Sequence, residues 1–398
     1  MSDDASAVGA RAAAVLDAGG VLRAATLEER ADWLAEAALT LEREAHHGSK
    51  TLSEATGLSA PMVEWAARTT LGTIRKDAML ALAQEARGRS PIAMLSVVLA
   101  ANVFTASVRG IVVPLLLGVP VLVKASSREA LFPVMLRDAL RRIDSRLGAS
   151  MDVVAFGGGD LECEAALVTL AEAVSVYGSD ETVEAIAARL GDIPLVAHGH
   201  GVSVAYCGAD ALAKVPIGDT IADLSLDICA YDQRGCLSPQ LVYIEETTQS
   251  SAEHFARRLA DEGLGPMSKT LPRGPLPLSI GAAQAQWRGI AEVEGTLIRG
   301  HDYAVAIRPP QPIRWSPGFR NVTLVPVRGL DEAVRAMEPI GTNLKCVGAD
   351  SVSLPEVQAR LAASPVLSAY ACTTGTMQTP SLNAPADGHP IWHGLFQT

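Results

Sequence analysis

The chain is expected to fold as an α/β protein, with a doubly wound parallel sheet followed by a second α/β unit. Two observations carry that expectation. From about Leu95 onward, short apolar runs alternate with amphipathic helical stretches, the β-α-β rhythm of parallel sheets. At 398 residues the chain also exceeds what one core usually serves. The 48% apolar and 4% aromatic content suits an Ala-rich protein of that class.

The elements follow in order. Thr26 and Glu29 form a capping box, after which Leu27, Leu34, Ala37, Ala38 and Leu41 recur at helical spacing. Val119 to Val123 reads as a buried strand, Arg128 to Leu147 as a helix, and Val153 to Phe156 as a strand ending in Gly157-Gly158-Gly159-Asp160. Leu161 to Glu172 is a helix, Val174 to Tyr177 a strand, and Ser179 caps a helix through Arg189. Leu195 to Ala197 and Val202 to Tyr206 close the first unit. We place a cofactor domain at residues 1–206, including the N-terminal helices, and a catalytic domain at 207–372. The second unit holds a strand at Leu241 to Ile244, a helix at Ala252 to Glu262, and the pair Leu330 to Met337 and Leu344 to Val347. The Pro-rich stretches Pro272 to Pro277 and Pro309 to Pro317 read as loops. Residues 373–398 form an irregular tail, packed on the cofactor domain or an oligomer partner.

A net charge of −11 repels nucleic acid and confines any phosphate to a local cationic or backbone site. Six cysteines with no C-x-x-C pair point to a reducing compartment. The acidic N-terminus, Met1-Ser2-Asp3-Asp4, carries no readable signal peptide. The longest apolar run, Ile111 to Val123, is interrupted by prolines and too short to span a bilayer. A cytoplasmic enzyme is expected. His198 and His200, one residue apart, lack a Cys, Asp or Glu at suitable local spacing, so no metal is expected.

The most informative segment is Asp232-Gln233-Arg234-Gly235-Cys236-Leu237-Ser238-Pro239-Gln240. It follows an apolar helical stretch at Asp223 to Ala230 and precedes a strand. A thiol on such a connection can reach a cleft while its flanks hold it still, although most free cysteines are simply small buried hydrophobes. Lys124 ends the strand Val119 to Val123 and is followed by Ser126, Ser127 and Arg128, with no acid among the three residues after it. A ribose 2′-phosphate would meet donors there, so NADPH is favoured over NADH. The turn Gly178-Ser179, with Thr182 beyond it, offers a helix N-terminus to a pyrophosphate.

Asn102 upstream of Lys124, the Gly178-Ser179 turn and the loop Cys236 occur in an order that resembles the aldehyde dehydrogenase superfamily. The sequence is most similar to its acyl-CoA reductase branch, the LuxC-type fatty acid reductases. Thr56-Gly57-Leu58-Ser59, Cys236 with Ser238-Pro239-Gln240, Arg320-Asn321-Val322 and Asp387-Gly388 belong to this likeness. The resemblance implies that Cys236 is the nucleophile and that Asn102 joins the Cys236 N–H in an oxyanion hole. It further implies that Lys124 meets the adenosine ribose, that Gly178 and Ser179 lie beneath the pyrophosphate, and that the protein is a homo-oligomer. A fatty acyl thioester on CoA, a carrier protein or an acyl-protein synthetase is the implied substrate. The common aldehyde dehydrogenase base, Glu-Leu-Gly-Gly, is replaced by Ala197-His198-Gly199-His200-Gly201. A reductase gains by lacking that carboxylate, because water would divert its acyl-enzyme. NADPH-dependent reduction of a long-chain acyl thioester to an aldehyde is therefore expected. An oxidative aldehyde dehydrogenase, or a non-redox acyl carrier using Cys236, is the alternative.

Overall fold

The computed structural model describes residues 2–213, 218–248 and 251–397; Met1 and the last tail residue, Thr398, lie outside them. The Thr26 capping box forms as expected, the Glu29 N–H donating to the Thr26 hydroxyl at 3.1 Å and the Thr26 N–H to the Glu29 carboxylate at 2.7 Å. Five strands make the first sheet: β1 (Leu95–Val98), β2 (Val121–Lys124), β3 (Met151–Val154), β4 (Ala173–Tyr177) and β5 (Leu195–His198). Their order is β3-β2-β1-β4-β5 and every pairing is parallel.

Alternate strand residues face opposite sides, and both sides are covered. Val97, Val121, Val123 and Val153 pack into one core, while Val98, Leu122, Val154 and Val174 pack into another. Helix Ala5–Ala24 belongs to the second of these cores through Val8, Ala12 and Val15. By length and composition it is apolar enough to cross a membrane, yet here it lies against helix Leu161–Val168.

The second sheet has seven strands: β6 (Val202–Cys207), β7 (Pro239–Glu245), β8 (Thr296–Arg299), β9 (Ala304–Ile307), β10 (Asn321–Val327), β11 (Leu344–Ala349) and β12 (Tyr370–Thr373). They run β12-β11-β6-β7-β10-β9-β8, with only the β8–β9 pair antiparallel. Val202 to Tyr206, expected to close the first unit, instead pairs with β7 and β11. Sheet membership therefore changes between His198 and Val202, not at residue 206.

The expected helix at Arg128 to Leu147 is two helices, Leu131–Ile143 and Ser145–Ala149. Asp144 breaks them with an extended backbone, and its carboxylate accepts the Arg146 N–H at 2.7 Å to start the second. Such local side-chain bonding competes with helix continuation. The expected helix Leu161 to Glu172 stops at Val168. Helix Leu278–Glu294 carried no sequence expectation. The tail bonds to the first unit: the Ile92 N–H donates to Leu395 O at 3.0 Å and the Gln397 N–H to Ser90 O at 2.9 Å.

Candidate active site

Cys236 lies on the five-residue connection between a short 3-10 turn (Ala230–Gln233) and β7. That turn is strained. Tyr231, Asp232 and Gln233 all have left-handed backbones, with φ of 52°, 54° and 59°, although none is glycine. Each such residue costs of order 1–2 kcal/mol, so the surroundings must over-determine it. They do. The Tyr231 hydroxyl pairs with Thr105 at 2.6 Å and Thr70 at 3.2 Å. Asp232 accepts Arg320 Nη2 at 2.7 Å and the Gly274 N–H at 2.9 Å, and Gln233 donates to Pro239 O at 2.8 Å. Arg320 is fully buried and Asp232 nearly so, a pair sealed away from water.

Of the six cysteines, Cys236 is exposed and the other five are buried. Burial of its sulfur and then the Asp387 charge push the thiol above its ordinary value, while Lys345 pulls it down. Arg234 is not the activating cation. It donates to Tyr231 O at 3.2 Å and Thr56 O at 3.1 Å and clamps the turn, so it is neither free in solvent nor among the groups acting on the thiol. The Ser203 hydroxyl donates to Cys236 O at 2.7 Å. The Asn102 loop abuts the cysteine loop, since a Cβ on Gly235 would come within 3.0 Å of Val103 Cγ2.

The carboxyl edge of the first sheet gathers the other sequence-predicted residues. Asn102 follows β1, Lys124 ends β2, Gly178 follows β4 and His198 ends β5. The chain winds outward from β1 toward β3 on one side and continues through β4 to β5 on the other. The crevice at such a reversal is where open α/β sheets bind ligands. Lys124 is half-buried, its amine 5.4 Å from the Phe156 ring centre and its pKa lowered by burial. Ser126 accepts the Arg128 N–H at 3.3 Å, and Ser127 and Arg128 are exposed on the following bend. Ser179 caps helix Asp180–Leu190 by accepting the Thr182 N–H at 3.4 Å. Asp180 and Glu181 occupy that helix's first turn and weaken its pull on a phosphate. Lys124, Ser127 and Arg128 offer phosphate donors on the other side of the edge, although Glu129 follows Arg128 and lines the cleft with it.

A cleft of about 1150 Å³ is lined by Asn102, Arg128, His200, Gln233, Arg234 and Trp315, among others. It joins the first-sheet edge to the cysteine turn. Lys124, Ser126, Ser127, Gly178, Ser179 and Thr182 stand on the same edge but do not line it, and of the cysteine loop it is Gln233 and Arg234, not Cys236, that do.

Sequence reasoning missed the ion-paired group beside the thiol. Asp387 bonds His198 Nδ1 at 2.6 Å and Lys345 Nζ at 2.5 Å. Burial pushes the Asp387 carboxyl up, but His198 and Lys345 outweigh it and hold it below its usual range. The ring of His198 stacks on Tyr177 with centres 4.2 Å apart. Asp387 itself has a left-handed φ of 51°, in the small antiparallel bridge between Ala386 and His389. The Asp387-Gly388 pair was visible in the sequence, but nothing local indicated that it would reach His198.

Residues 49–391 match the model of the acyl-CoA reductase (LuxC) family. The chain belongs to that family. No curated protein matches the LuxC-family chain in sequence. Its fold is that of aldehyde dehydrogenases. Aldehyde dehydrogenase 21 from Physcomitrella patens, solved with the product succinate, aligns with a TM-score of 0.75 at 15% identity, covering 100% of this chain and 90% of that one. Glyceraldehyde-3-phosphate dehydrogenase GapN from Methanocaldococcus jannaschii, complexed with NADP, gives 0.74 at 13% identity, covering 100% and 94%. A salicylaldehyde dehydrogenase from Pseudomonas putida G7 gives 0.75 at 14%, covering 97% and 85%. The LuxC family and this fold make the protein an oxidoreductase of acyl or aldehyde groups.

Proposed function

We propose that the protein reduces a fatty acyl thioester to an aldehyde with NADPH, through an acyl group carried on Cys236. One observation carries the reading: a single exposed cysteine on a braced turn, beside a cleft that reaches a dinucleotide-type sheet edge. Cys236 as thiolate attacks the thioester carbonyl. Asn102 and the Cys236 N–H face the developing oxyanion, and the departing thiolate is matched in basicity to the attacking one, so exchange needs little acid help. Lys124, Ser126, Ser127 and Arg128 would hold the phosphorylated ribose, with Gly178, Ser179 and Thr182 alongside the pyrophosphate. When bound, the nicotinamide supplies the hydride. A neighbour complexed with NADP shares the fold, in keeping with that choice. The one carboxylate acting on the thiol among the described residues, Asp387, is held by His198 and Lys345, which leaves it poorly placed to activate water.

Purified protein given a long-chain acyl-CoA should consume NADPH and release aldehyde, with NADH a poorer donor. Cys236→Ala should lose about 10³-fold or more of the rate. Full activity in that variant would refute the nucleophile assignment. A second reading, oxidation of an aldehyde to an acid, draws support from His198 beside Asp387, because a supported imidazole can act as a base. Rapid hydrolysis of the Cys236 acyl-enzyme without cofactor, abolished in His198→Gln, would favour it.

A further inference from the structure

Apart from the large cleft, a cavity of about 270 Å³ lies against β4, β5 and helix Ser107–Leu116, closed by the C-terminal tail. It shares no lining residue with the cleft. Its walls are mixed. Leu95, Pro114, Val196 and Leu395 supply apolar surface, while Arg109 supplies a guanidinium.

That guanidinium is poorly provided for. Its Nη2 donates to the Ala384 carbonyl, but its Nε is buried with no acceptor. The titratable groups acting on it are the phenols of Tyr177 and Tyr370, not a carboxylate. Burial pushes Tyr177 up to about 12 and Tyr370 higher still, so neither is an anion near neutral pH. A half-buried cation without a counter-charge is costly, and a bound anion would relieve that cost. A carboxylate suits the planar guanidinium fork best. Tyr177 lies against helix Ser107–Leu116, where a Cβ on Gly110 would sit 2.8 Å from its hydroxyl, and it lines the same cavity. His389 and His393 line it too, their rings stacked with centres 4.3 Å apart; burial and the neighbouring His389 lower the His393 pKa, and a neutral imidazole still offers one N–H donor. Asp387 and His198 are the remaining charged or titratable lining groups, and Asp387 is already matched by His198 and Lys345. Two groups that line the cavity, Tyr177 and Asp387, also interact electrostatically with the Cys236 thiol.

We propose that this cavity binds a carboxylate borne on a short apolar chain, with Arg109 as its counter-ion. The carboxylate is either the far end of an acyl group loaded on Cys236 or a free acid; the first source rests on the thioester reading above, the second does not.

The test uses the full chain. Titration calorimetry with adipate should show binding at least about tenfold tighter than hexane-1,6-diol of the same length, and Arg109→Met should weaken adipate about tenfold. Arg109→Lys, which keeps the charge, should retain part of the binding and serves if the methionine variant misfolds. Mass spectrometry of the acyl-enzyme then separates the two sources. If adipoyl-CoA loads Cys236 faster than hexanoyl-CoA, and Arg109→Met erases the difference without slowing hexanoyl transfer, the acyl end is the ligand. If adipate binds through Arg109 but the two thioesters load alike, the ligand is a free acid and the site stands. Adipate binding no tighter than the diol, or unchanged in Arg109→Met, overturns the proposal. Loss of all NADPH oxidation with intact adipate binding would count against the reductase reading alone.

Discussion

The turn bearing Cys236 and the strand edge bearing Lys124 face one another, yet they are secured in different ways. Three left-handed residues before Cys236 are pinned by Thr105, Thr70, Arg320, Gly274 and Pro239, mostly out of water. At the opposite edge, Ser127 and Arg128 are exposed, and Ser179 and Thr182 bond chiefly to each other. On the proposed reading Cys236 is the nucleophile, which must be in place before the substrate arrives, so its support is built into the fold. The groups proposed to grip a soluble cofactor can be ordered by the cofactor itself.

The sharpest way to break this contrast is to remove the brace. Arg320→Met leaves Asp232 buried and unpaired, and should destabilise the protein by about 3–5 kcal/mol in urea unfolding. A loss within experimental error would mean that the turn is not held from below. Asn102→Ala should instead leave unfolding unchanged while slowing Cys236 acylation by about 10²–10³-fold, followed by mass spectrometry. Equal effects on stability and rate would place Asn102 with the brace.

The electrostatics of the thiol offer a smaller effect. Lys345 is the cation that lowers the Cys236 thiol, so Lys345→Met should raise its pKa further. Thiolate reactivity rises with pH in both proteins, and the variant's curve should be displaced to higher pH. At pH 7 its alkylation by iodoacetamide should be slower by about three- to tenfold. Asp387→Asn should move the curve the other way, since Asp387 raises the thiol. A shared curve for all three proteins would remove this pair from the account. The smallest change is expected at the exposed edge: Arg128→Ala should raise the KM for NADPH by about fivefold, leave NADH unaffected, and lose its influence at high salt.

Much of this was legible along the chain. Thr26 and Glu29 announced their helix through a four-residue pattern, and the buried parallel strands announced themselves as apolar runs between helices. Cys236 and the Lys124 to Arg128 segment could be picked out because each borders a readable strand, whereas Asn102 was singled out only through the family resemblance. The wrong sheet for Val202 to Tyr206 had a simple cause: an apolar run predicts a strand but says nothing about its neighbours. The break at Asp144 was hidden because helical periodicity resumes one residue later.

By itself the sequence determined the alternation of strands and helices, the caps that begin them, and the placement of one cysteine between a turn and a strand. These depend on residues a few positions apart, where hydrogen-bond reach and hydrophobic period act directly. Only the tertiary structure decided that Tyr231, Asp232 and Gln233 adopt left-handed backbones without a glycine, that Arg320 braces them, and that Asp387 meets His198 and Lys345 beside the sulfur. Those contacts join residues separated by 88, 189 and 42 positions. Crossover connections and core packing bring such groups together, and neither leaves a local mark in the chain.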